Sequence, residues 1–184
     1  MYDLDKWKDN LLSDIGEKRY KHSFRVMETA VQINKTCDED EVKTAAILHD
    51  CAKKCEEKYL EEFSANINSR EIEFKEVLHS FLGAEVAKKV YNIDNENVLD
   101  AIRFHTTARS DMSELDKVIF LADAIEPKRD YPGVDEIREL VKKDFDEAIF
   151  YILNHNIEFL ISKNALIHPL TIEARNFMIK EKND

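Results

Sequence analysis

Glycine and proline are scarce in this chain, with three of each among 184 residues. All-β folds need both in quantity, because tight turns call for positive or fixed φ angles. Their scarcity therefore favours long helices joined by short polar loops. Apolar runs are also short, none approaching the roughly 18–20 residues of a membrane span. The N-terminal stretch MYDLDKWKDNLL has neither a basic region nor an apolar one, so it is not read as a signal peptide and a cytoplasmic protein is expected.

Positive charge is in deficit, the formal net charge being −11. Such a surface repels nucleic-acid backbones, and with no apolar span neither nucleic acid nor membrane is expected as a partner. A small anionic substrate remains compatible with it, since bound metal ions would be the largest local charges in a site. Cysteine is sparse and odd in number: Cys37, Cys51 and Cys55. A single C-x3-C without a second pair is a weak zinc signal, and reduced thiols in or near the core are the reading.

What the chain does have is helical periodicity. Trp7, Leu11, Leu12 and Ile15 mark a first segment, Asp5 to Gly16, and Tyr20, Phe24, Met27 and Val31 a second from about Lys18 to Lys35. After the acidic start Asp38-Glu39-Asp40-Glu41, Val42, Ala45, Ala46 and His49 fall at i, i+3, i+4 and i+7, which turns His49 inward. The stretch Glu56 to Arg70 reads as irregular or a short helix. Phe74, Val77, Leu78, Phe81, Val86 and Val90 mark another helix, in which Gly83 allows a close approach. Asp94 is read as the next N-cap, with Val98, Ala101, Ile102 and His105 repeating the inward spacing. Ser113 and Asp116 resemble a capping box opening a helix that carries Asp123 at its inner end. Glu126 to Gly133 is a loop. Two further amphipathic helices, about Val134 to Leu160 with a break and Thr171 to Lys180, complete an all-α bundle in one domain, 1–184.

Imidazole and carboxylate are ligands for iron, manganese, cobalt, nickel and zinc without help from thiolate. His22, His49, His79 and His105, with Asp50 and Asp123, can hold two ions, and a metal pair suggests phosphate chemistry. Any one inward histidine is more often a hydrogen-bonded core residue. The core reading weakens when four stand at the inner ends of four apolar helices, two of them with an aspartate.

The pattern His22…His49-Asp50…Asp123 resembles the HD-domain metal-dependent phosphohydrolases. Within them the stretches RYKHSFRV, AAILHDCAKK, LHSFLGAEVA, AIRFHTTAR and LDKVIFLADAIEPKRDYPGV are similar to the YqeK-type branch, which cleaves diadenosine tetraphosphate symmetrically to two ADP. They span about 19–134, leaving the helices of 134–184 to pack on that core. The resemblance implies that His22, His49, Asp50 and Asp123 bind one metal, that Asp50 bridges to a second held by His79 and His105, and that iron is the usual metal. It implies hydrolysis by a metal-activated water. An HD-type nucleotidase acting on another nucleotide, or a nucleotide-binding regulatory module with little turnover, are the alternatives. The branch usually reads HTTG where this chain has HTTA; if that position needs positive φ, Ala108 is disfavoured there.

Lys53, one helical turn after His49, is expected to point into the site and offset phosphate charge as a catalytic and substrate-binding group. Arg109 and Thr106 after His105, and Glu126, Arg129 and Tyr131 in the loop, are candidate substrate contacts, as is Arg19, one turn before His22. For Glu126, a role in orienting a ligand and a plain exposed carboxylate stand equal. Lys54 is read as solvated or ion-paired, and His155 and His168 as ordinary. No heptad or symmetric motif is visible, so a homodimer is compatible with the sequence without being specified by it.

Overall fold

The computed structural model describes residues 4–183; the first three residues of MYDLDKWKDNLL and the last residue of the chain lie outside it. Regular structure among the described residues is helical throughout: α1 (Leu4–Ile33), α2 (Glu39–Leu48), α3 (Glu56–Phe63), a 3-10 turn (Ser64–Asn66), α4 (Ser69–Glu73), α5 (Lys75–Lys89), α6 (Glu96–Phe104), α7 (Glu114–Ile125), α8 (Val134–Val141), α9 (Phe145–Ser162) and α10 (Pro169–Asn183). This is the all-α class that scarce glycine and proline predict.

The first two segments join as α1, broken at Gly16, whose φ of 74° and ψ of 163° no helix accommodates. Glycine takes that angle without the Cβ clash that bars other residues. Asp38 caps α2 by accepting from the amides of Asp40 and Glu41, and the acidic first turn suits the positive helix end. Ser113 and Asp116 form the expected reciprocal capping box on α7. Asp94 is not the cap of α6. Asn95 is, its side chain accepting from the Asn97 amide, since only a residue directly before the first helical turn can reach those free N–H groups. The stretch after Glu56 takes the short-helix form of the two expected, because Tyr59 and Phe63 are buried on one side of α3. The break expected after Val134 falls between α8 and α9, where Asp144 caps the second helix.

Helices α1, α2, α5, α6 and α7 pack on one another around a core that includes Leu11, Val26, Ala30, Leu48, Leu82, Ile102 and Ile119. A second cluster joins Leu121 and Ile125 of α7 to Ile137, Ile149, Leu153 and Ala174 of α8, α9 and α10. Helix α7 thus serves both, one face toward each. Gly83 makes the close approach read from sequence: a Cβ there would stand 3.3 Å from the Ile102 side chain and 3.5 Å from the His49 carbonyl oxygen. This contact sets α5 directly against the end of α2, where the histidine stands.

Candidate metal centre

His49 and His105 are the C-cap residues of α2 and α6, and Asp123 lies in the last turn of α7. Three helix C-termini therefore converge, and their partial negative charges favour cations between them. His22 comes from α1 and His79 from α5. All four imidazoles are buried, stacked edge to face in a chain from His22 to His49, His49 to His105 and His105 to His79 at centroid separations of 5.3, 4.9 and 5.3 Å.

Asp50 sits in the middle and divides its two oxygens. Oδ1 faces Nε2 of His79 at 3.3 Å and of His105 at 3.6 Å. Oδ2 faces Nε2 of His49 at 3.4 Å and of His22 at 3.7 Å. Asp123 Oδ1 joins the second group, 3.0 Å from His22 Nε2 and 3.9 Å from His49 Nε2. The donor atoms of His22, His49 and Asp123, and those of His49, Asp50 and His105, lie within 4.8 Å of one another in each trio. Nε2 of His22 and of His49 are buried with no hydrogen-bond partner among the described residues. Leaving such atoms unsatisfied is costly, so orphaned nitrogens aimed at carboxylate oxygens fit a metal-ligand set.

The outer ring nitrogens hold the histidines in place. Nδ1 of His49 bonds the Ala46 carbonyl at 2.7 Å, and Nδ1 of His105 the Ile102 carbonyl at 2.8 Å, each three residues back. A carbonyl only accepts, so Nδ1 carries the proton and Nε2 is left as the free donor a metal requires. His22 Nδ1 is 3.2 Å from Glu126 Oε1. His79 differs: its Nδ1 faces the Lys53 ammonium at 2.9 Å.

Electrostatics follow this geometry. Burial pushes the Asp50 carboxyl up, but His49, His105 and His79 outweigh it and hold it well below the usual carboxylate range. Asp123 shifts the same way, burial being overcome by the adjacent His22 imidazole and the Arg129 guanidinium. Burial drives His79 down to about 4, keeping it neutral. For His49 burial acts downward, and the Asp50 and Asp123 charges carry it the other way.

The other predicted residues divide. Arg19 donates to Asp50 Oδ2 at 2.8 Å. Arg129 bonds the Asp123 carboxylate, and its Nε donates to the Asp123 carbonyl at 2.7 Å. Together with His105 and Asp123, Thr106, Arg129 and Tyr131 border a cavity of about 230 Å³. Lys53 does reach the cluster, though not along a helix. Helix α2 ends at Leu48, and the chain tightens into turns through Cys51 N to Leu48 O and Lys53 N to Asp50 O bonds, ending at Lys54 with φ 76°. Glu126 lies behind His22 rather than at the cavity, accepting from Arg25 Nε at 2.7 Å and the Lys128 amide at 2.8 Å. Arg109 is turned away: it pairs with Asp116 at 2.8 Å and Asp100 at 3.0 Å and covers the Phe104 ring. His168 packs against Phe74 and Phe81, and His155 against Tyr151, both outside the cluster.

Two residues beside the cluster escaped the sequence reading. Arg25 stands one turn after His22 on α1, a spacing that could have drawn attention to it. Asn156 on α9 borders the cavity and lies in no recognisable motif.

A helical bundle that brings four imidazoles and two carboxylates together defines a class, and sequence comparison agrees with it. The HD domain family matches residues 19–128, and the chain belongs to that family. It is 40% identical over 173 residues to the symmetrical bis(5'-nucleosyl)-tetraphosphatase of Halalkalibacterium halodurans, covering 91% of this chain and 92% of that protein. It is 36% identical to the protein of the same description from Bacillus subtilis, covering 90% and 91%. The crystal structure of a predicted HD superfamily hydrolase involved in NAD metabolism from Clostridium acetobutylicum superposes with a TM-score of 0.91 at 42% identity, covering 98% of this chain and 99% of that one.

Proposed function

We propose that this protein hydrolyses diadenosine tetraphosphate symmetrically, giving two ADP, at a dinuclear metal centre. The observation that carries the reading is Asp50, whose oxygens face two different histidine pairs, as a bridging carboxylate must. His22, His49, Asp50 and Asp123 would hold one ion, and Asp50, His79 and His105 the other. Such a pair supplies charge compensation at phosphate and a water of lowered pKa. Iron is the metal we infer, from the family resemblance and from a donor set free of thiolate.

The chain's own residues supply the rest. Arg19 donates to Asp50 Oδ2 and would hold that carboxylate with its oxygens toward the two histidine pairs. Lys53, at the His79 end, is placed to offset charge on a phosphate oxygen, and such a donor acts strongly in a site shielded from water. Arg129 offers its guanidinium beside the cavity that Thr106 and Tyr131 help to line, and a planar fork suits phosphate oxygens. We read the chain as one domain, supported by α7, which belongs to both hydrophobic clusters. No described helix is long and apolar enough to cross a membrane.

Product analysis tests the reading. Purified protein with its metal should convert diadenosine tetraphosphate to ADP alone, with iron found on elemental analysis. Asp50→Ala should abolish turnover. Formation of ATP with AMP, or full activity in Asp50→Ala, would sink the proposal.

A further inference from the structure

We propose that the groove between the start of α5 and the end of α9 is the seat of a purine base, a reading that rests on the proposed nucleotide substrate. This groove encloses about 420 Å³ and is bordered by Phe74, Thr106, Asn156, Phe159, Leu160 and Leu166. That is the size of an ordinary small-molecule site. Thr106 and Asn156 also border the cavity beside His105, Asp123 and Arg129, so the two spaces share these residues as walls. On this proposal a ligand with phosphates at the metal centre passes these two residues to enter the groove.

Its lining suits a flat, mostly apolar ring with polar edges. Phe159 is 55% exposed and Leu166 70% exposed, so both offer uncovered apolar surface beside a charged site. Every base has a π face, and stacking on an aromatic ring recognises it without a demanding geometry. Lys163 lies over the Phe159 ring, its ammonium 5.6 Å from the centroid. Asn156 and Phe159 are i and i+3 on α9 and share a face. The half-buried Asn156 amide makes no hydrogen bond among the described residues. An amide presents a donor and an acceptor together, the pair that matches N6 and N7 of adenine.

The test compares binding of ADP and inorganic pyrophosphate to the metal-loaded protein by isothermal titration. Phe159→Ala removes an exposed ring and should leave folding intact. It should weaken ADP about tenfold and leave pyrophosphate unchanged. Asn156→Ala should weaken ADP about fivefold, the loss of one hydrogen bond. Equal weakening of both ligands, unchanged ADP affinity in both variants, or wild-type ADP binding no tighter than pyrophosphate would overturn the groove. A change of oligomeric state in Phe159→Ala with ADP affinity intact would assign the surface to a second copy of the chain and also overturn it. Protein that shows the expected pattern yet leaves diadenosine tetraphosphate uncut would uphold the groove and refute the hydrolase reading.

Discussion

The Lys53 ammonium donates to Nδ1 of His79 and lies 3.3 Å from the Glu76 carbonyl, the backbone acceptor three residues before that histidine. His49 and His105 use the equivalent carbonyl directly. An ammonium has no lone pair to offer, so the lysine contact leaves the His79 proton on Nε2, the nitrogen that faces Asp50. Lys53 and a ligating His79 thus make opposite demands on one ring.

Replacing Lys53 by Met frees the His79 ring to use the Glu76 carbonyl as its neighbours do. Metal content should stay at the wild-type level or rise, while turnover falls about 100- to 1,000-fold through loss of a charge on the phosphate. Elemental analysis beside steady-state kinetics separates the two effects. A variant depleted of metal would show that the lysine supports His79 as a ligand instead.

Glu126→Gln keeps the shape behind His22 but removes the charge that fixes its ring. Metal affinity should drop about 10- to 100-fold, the usual cost of losing such an orienting partner. Burial pushes the Glu126 carboxyl up, but the Arg25 guanidinium, the Lys128 amide and His22 hold it at about 2, below the ordinary 4.5. A depressed carboxyl stabilises the fold fully above its unfolded value and loses that contribution as pH falls toward the folded one. Thermal melts of metal-free protein should show the gap between wild type and Gln closing from pH 5 to pH 2.5. A gap independent of pH would refute the charge as its origin.

Ala108 has a φ of 57°, the left-handed angle at which alanine is disfavoured, and its methyl is fully buried in the cluster of α7 to α10. Relief of the backbone in Ala108→Gly is about 1–2 kcal/mol. Lost burial of about 0.8 kcal/mol and the extra freedom of unfolded glycine, about 0.4–1 kcal/mol, offset it. The Gly variant should therefore melt within about 1 kcal/mol of wild type. Ala108→Val, branched at a positive φ in a filled space, should lose about 2–4 kcal/mol. Denaturant titration of the pair checks the balance, and a Val variant as stable as Gly would refute it.

His49 and His105 were legible because each closes an apolar repeat of its own helix. The spacing of Val42, Ala45, Ala46 and His49 is enough to turn the ring inward wherever the helix packs. What periodicity does not carry is where a helix stops. Lys53 was placed by extending α2 one turn too far, and it reaches His79 through a turn region instead. Asn95 displaced Asp94 as a cap for the same reason, a shift of one residue between two polar neighbours of similar capping power. For Glu126 an orienting role and an exposed carboxylate stand equal on sequence, and the fold buries it by bringing Arg25 across from α1, a contact 101 residues apart in sequence. Arg109 shows the reverse: a cation in a motif-rich stretch, taken up by Asp100 and Asp116 once α6 and α7 meet. Long-range partners decide the fate of a charge, and a linear pattern does not contain them.

Helix α7 faces one hydrophobic cluster with Val118 and Ile119 and the other with Leu121 and Ile125, and Asp123 lies in its last turn. The two halves of the protein therefore share a wall, and the chemistry is placed at the wall's edge. A nucleotide with phosphates at the histidines and a base against α9 would be held by both halves together. Occupancy then acts as a clasp: it opposes any opening of α8 to α10 from the rest, and any such opening would release the nucleotide. Departure of ADP and loosening of the C-terminal helices become, on this architecture, one event seen from two sides.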